Sequence, residues 1–171
     1  MTRFRARLAD FAFALIITLS LGAPVSADKG DPAGWSVATD PRKRAYLKFV
    51  EEADGPRTLL FACLRDTNML GIYAAGLVDG APRNALMSLQ NGRAKYGLRG
   101  QTGVDEVTGH PVFAYQTDLD ATALRYLQSE LMPVLQGKGP IVVTIGEVKR
   151  EVPVAGLAQP LRQFSAICFA R

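Results

Sequence analysis

The sequence predicts an α+β fold: one antiparallel, β-rich domain, a sheet or a sandwich, with a mid-chain helix and a disulfide-pinned C-terminal helix. Three observations predict it. Short apolar runs bounded by turn residues recur between Trp35 and Thr117, as strands joined in hairpins would require. One longer stretch, "DLDATALRYLQSELMPVLQG", carries its apolar residues at helical spacing. The chain's two cysteines, Cys63 and Cys168, fall on an apolar strand and on the apolar stripe of a terminal helix.

The elements follow in chain order. Residues 28–34 read as a polar leader, and Trp35–Val37 as a short first strand anchored by the tryptophan. "RAYLKFVEE" has mixed periodicity. A strand is preferred over a helix, because Asp54-Gly55-Pro56 would turn it directly into the next strand, residues 58–65. "MLGIYAAGLV" makes a further strand, ended by "DGAP". "NALMSLQ" and "RAKYGLRG" flank Asn91-Gly92, the strongest short hairpin signal in the chain. "QTGVDEVTGHP" is polar and Gly-rich and reads as a loop, with "VFAYQT" returning as a strand.

In the helix that follows, Asp118 or Asp120 can cap the start, and Leu124, Leu127, Leu131 and Val134 form the buried face. Gly137 stops it, and Pro133 ends or kinks its last turn. "PIVVTIGEV" and "REVPVA" form a last hairpin. In the terminal helix, Leu157, Leu161, Phe164 and Cys168 fall at i, i+4, i+7 and i+11 on one stripe.

The first 27 residues read as a cleaved signal peptide. Arg3, Arg5 and Arg7 form a basic start, "FAFALIITLSLG" is too short to span a bilayer comfortably, and Val25-Ser26-Ala27 offers a cleavage site after Ala27. Residues 28–171 are then a single periplasmic β-rich domain, with no stable membrane insertion after cleavage. Losing Arg3, Arg5, Arg7 and Asp10 lowers the net charge from +4 to about +2, which argues against nucleic acid as a partner.

Export places Cys63 and Cys168 in an oxidising compartment, where two cysteines read first as a disulfide. Two buried free thiols are the alternative; two cysteines and the lone His110 cannot fill four metal positions. Such a bridge would close a loop of roughly 100 residues, worth about 4–5 kcal/mol in the chain-entropy picture, and would stop a terminal helix from fraying.

The chemistry-bearing residues are few, and neither a cofactor nor a metal is expected from them. His110 precedes Pro111 in a loop and reads as a solvent-exposed residue rather than a general base. No G-x-S-x-G, H-E-x-x-H or C-x-x-C occurs. Of the acidic pairs, Asp118-x-Asp120 suits helix capping, while Glu51-Glu52 and Asp105-Glu106 suit solvation. In "NGRAKYGLRG" a strand would put Arg93, Lys95 and Arg99 on one face with Gly97, and Ala94, Tyr96 and Leu98 on the other. That basic stripe is either the wet face of an antiparallel sheet or a surface for an acidic partner.

The order of these features resembles a known group. A signal peptide leads to a "W-x-V" start (Trp35, Val37) and an apolar strand carrying Cys63. Then come an "L-x-x-L-x-x-x-L" helix (Leu124, Leu127, Leu131), the strand "GPIVVTIG", and the tail "VPVAGLAQPLRQFSAIC". This is similar to small periplasmic one-disulfide proteins of Gram-negative bacteria. It resembles in particular the type VI secretion-associated TagO/VasI-like family and, more loosely, the invasion-associated locus B proteins. The resemblance implies a periplasmic accessory role with no catalytic residues to carry over.

Together these readings lead to the expectation of a non-catalytic interaction protein. It would bind another envelope protein or secretion component, or an anionic envelope polymer, through Arg93, Lys95 and Arg99 with Asp105, Glu106 and His110 of the 100–111 loop. Two alternatives stand beside it: a hydrolase inhibitor using the 100–111 loop as a plug, and a carboxylate-based cell-wall hydrolase acting through Asp105 and Glu106.

Overall fold

The computed structural model describes residues 32–169, apart from 54, 56, 79 and 106–108. The expected signal peptide and Glu106 therefore lie outside the described residues. Nine strands form one antiparallel sheet: β1 (Gly34–Asp40), β2 (Arg44–Val50), β3 (Arg57–Leu64), β4 (Met69–Ala75), β5 (Asn84–Asn91), β6 (Ala94–Val104), β7 (Pro111–Asp118), β8 (Ile141–Ile145) and β9 (Val148–Val152). Their spatial order is β1-β2-β3-β4-β7-β6-β5-β8-β9. The strand reading of "RAYLKFV" holds: Leu47 and Phe49 alternate into the core while Tyr46 and Lys48 face outward.

The helical residues lie on the sheet's inner face. A continuous helical stretch joins β7 to β8: α1 (Ala121–Tyr126), a π turn (Leu127–Leu131) and α2 (Met132–Leu135). The last helix, α3 (Ala158–Cys168), packs against β1, β2 and β3. Asp120 caps α1, its Oδ1 accepting from the Ala123 N–H at 2.7 Å. Pro133 does not end the helix. The chain stays helical to Leu135, and the irregularity falls in the π turn just before the proline, where the Met132 N–H reaches back to the Leu127 carbonyl. Leu127, Leu131, Val134 and Leu135 are buried by this arrangement.

The sheet curls until its two ends meet. The Trp35 Nε1–H of β1 donates to the Pro153 carbonyl after β9 at 2.6 Å, and the Trp35 ring packs on Phe49 with centroids 5.3 Å apart. Arg150 of β9 bonds Glu51, just past β2, at 2.8 Å. Inside this curl lie Leu59, Phe61, Ile72, Met87, Leu89, Phe113, Val143 and the apolar faces of the helices. Cys63 and Cys168 are joined, with Cα atoms 5.6 Å apart and a sequence separation of 105. Both are fully buried, so the bridge ties the end of α3 to β3 inside the curl.

Three expectations are corrected. The β5–β6 turn is Gly92-Arg93, not Asn91-Gly92, because Asn91 still pairs with Ala94. Gly92 has φ +59° and Arg93 is not in the left-handed region, the pattern of a turn with glycine at its first central position. Asn91 is instead a buried bracket. Its Nδ2 donates to the Gly139 carbonyl at 2.7 Å and its Oδ1 accepts from the Gly139 N–H at 3.2 Å. Arg93 consequently sits at the tip of the hairpin rather than on the strand. Finally, the expected 100–111 loop is mostly strand. β6 runs to Val104 and pairs with β7, leaving only residues 105–110 as connection. Of its polar residues, Gln101 lies on the wet outer face, and Thr102, on the opposite face, is secured by its Oγ1 bond to the Pro82 carbonyl.

Candidate functional site

The site is built from the outer face of β6. Tyr96 and Leu98 point into the core, which leaves Lys95, Gly97 and Arg99 exposed on the opposite face. Their partners across β5 are Gln90, Ser88 and Leu86, in that order. The next strand adds Val142 opposite Gln90 and Thr144 opposite Ser88. At the edge, Glu151 and Lys149 of β9 complete those rows. The surface is therefore low at its centre, where Gly97, Ser88 and Thr144 stand in one row, and cationic along β6. Leu86, opposite Arg99, is 57% exposed and borders a shallow depression of about 200 Å³ with Pro82, Asn84, Thr144 and Gly146.

The strand that carries these cations is firmly held from beneath. Tyr96 is buried against Tyr126, with ring centroids 5.7 Å apart. Burial, with smaller contributions from Tyr115 and Tyr126, pushes the Tyr96 hydroxyl well above the usual tyrosine range.

The β6–β7 junction is unusual. Its ladder covers only Gln101–Val104 against Pro111–Ala114. β7 nevertheless stays paired with β4 to Asp118, and β6 stays paired with β5 to Ala94. Gly100 marks the point of divergence. A Cβ there would lie 2.4 Å from the Ala114 carbonyl oxygen and 2.5 Å from Phe113 Cζ, so only glycine admits that approach.

Not all of the residues expected to act together are neighbours. Lys95 and Arg99 share one strand face about 13 Å apart, with Arg93 at the adjoining turn. The 105–110 connection lies roughly 20 Å along the strand from Arg99. Its described ends are joined, the Asp105 N–H donating to the His110 carbonyl at 2.9 Å and the Gly109 N–H to the Asp105 carbonyl at 2.7 Å. Asp105 is half-buried and His110 exposed. The structure thus separates the basic strand from this connection.

Elsewhere, a depression of about 320 Å³ lies between the β3–β4 turn and the start of α1, lined by Arg65, Thr67, Asn68, Asp118, Asp120 and Leu124. Beside it, Arg44 bonds Asp66 through Nε at 2.8 Å, and this pairing holds the Asp66 carboxyl below its ordinary range. Arg44 is half-buried and Asp66 exposed, so this surface pair adds little stability. Among the described residues, no group of three or more His, Cys, Asp or Glu could hold a metal ion. No helix of the described residues is long and apolar enough to cross a membrane.

Sequence reasoning missed the Asn91 bracket, the early parting of β6 from β7, and Leu86 as part of the surface. The alternation "NALMSLQ" did signal that Leu86 faces away from Met87 and Leu89, so its exposure was available in the pattern. No family model, curated protein or solved structure matches this chain.

Proposed function

We propose that this protein is a non-catalytic accessory protein of the cell envelope, acting in the periplasm by binding another envelope or secretion component. The observation that carries this reading is the outer face of β5 and β6. Lys95 and Arg99 stand exposed on either side of Gly97, with Leu86 uncovered beside them, while the helices occupy the other side of the sheet. Arginine is enriched at protein contacts, and Leu86 adds exposed apolar area beside it.

The test is to replace Arg93, Lys95 and Arg99 together with Ser. All three are exposed, so thermal stability is expected to stay within about 1 kcal/mol of the parent. Capture of the partner from crosslinked envelopes is expected to be lost. Undiminished capture by the folded variant would overturn the reading.

A further inference from the structure

We infer that the free edge of β6 between Lys95 and Arg99 is a docking site for an extended, acidic peptide segment of the partner, which adds as a strand where β7 has turned away. This rests on the proposed binding role and specifies the partner's chemistry. Three features of the structure lead to it.

The first is backbone that is left open. Among the described residues, the ladder between β6 and β7 stops at Gln101 and Ala114, while β6 continues for seven more residues to Ala94 paired only with β5. A strand paired on one side presents a row of amide and carbonyl groups on the other. The second is access. Gly97 is exposed, and because glycine has no side chain this is exposure of the backbone itself. An added Cβ at Gly97 would meet nothing within 4 Å, so no neighbouring group covers the outer face of β6 at that point, while the π turn and α2 lie near β6.

The third is charge. Lys95 and Arg99 flank Gly97, and Arg93 stands at the turn beyond. Among the described strand residues, the acidic groups on the same outer face are farther off: Glu151 is three strands away, and Asp118 is at the end of β7. A segment with carboxylates at alternate positions would present them to the two cations while its backbone completed the sheet. Main-chain bonds would supply affinity and the cations would supply register. Tyr96, buried against Tyr126, holds the template in place.

The test uses eight-residue peptides with Glu at alternate positions and the others randomised, screened for binding to the oxidised protein. Each binder is remade with N-methyl groups on alternate backbone amides, and hydrogen exchange is read over residues 94–100. The expected result is slowed exchange at 94–100 on peptide binding, and at least tenfold weaker binding for one N-methylated series. Equal binding of both N-methylated series would mean attraction by charge alone and would overturn strand addition. Failure of every peptide, with the Arg93, Lys95 and Arg99 to Ser variant still losing its partner, would also overturn it while sparing the binding role. Capture unaffected by that variant would remove both.

Discussion

At the residue scale, Asn91 shows how one polar side chain organises a long-range contact. It is buried and forms both of its bonds to Gly139, a residue 48 positions away. The same amide explains Gly137, where a Cβ would lie 2.2 Å from Asn91 Cγ. Asn91→Ala is expected to lower unfolding stability in urea by about 1–3 kcal/mol, because it strands the Gly139 donor and acceptor. Gly137→Ala should also destabilise, but much less when Asn91 is already Ala. Simple additivity of the two would mean that the steric link is not real. Tyr96 supplies a pH prediction. Its pKa is raised in the folded state, so its neutral form contributes stability that is complete below the usual tyrosine value of about 10 and is lost as pH rises further. In an alkaline absorbance titration, Tyr96→Phe should remove one late-ionising tyrosine and flatten the loss of stability in that range.

At the element scale, the strands were legible because their code is a period of two, and six of the nine described strands, β2 to β6 and β8, bury alternate apolar residues in a recognisable run. β2 looked ambiguous because Tyr46 beside Leu47 and Val50 beside Phe49 interrupt the alternation of apolar and polar residues. The end of β6 was illegible for a different reason. Gln101, Thr102 and Gly103 have the composition of a loop, and what makes them strand is pairing with β7, a tertiary fact. Likewise, Asn91-Gly92 carried the right hairpin in the wrong phase by one residue, since Asn91 is drawn into the ladder by its bracket to Gly139. The basic strand face was readable in advance; the open edge beside it was not, because no local pattern encodes where a neighbouring strand leaves. The terminal helix α3 was fully readable from its stripe and its cysteine. Without the disulfide it should fray first: after reduction, hydrogen exchange is expected to quicken across residues 158–168 while β2–β4 stay protected. Simultaneous loss of protection in all of them would show instead that α3 is part of one cooperative unit.

At the scale of the whole molecule, the fold separates two jobs. The inner face of the curled sheet is filled by both helices and closed by the Cys63–Cys168 bridge, by Trp35 on Pro153 and by Arg150 on Glu51. The outer face of β5 and β6 carries no such cover, and there lie the cations, the exposed leucine and the open strand edge. The central claim is that this face meets a partner, and the most direct test is position-specific photocrosslinking in the native envelope. A photoreactive residue is placed at Gly97 and, as a control, at Arg162, which is exposed on α3. The proposed function predicts one dominant adduct with a single envelope protein from position 97 and none with it from position 162. Adducts of equal strength from both positions, or from position 162 alone, would contradict it.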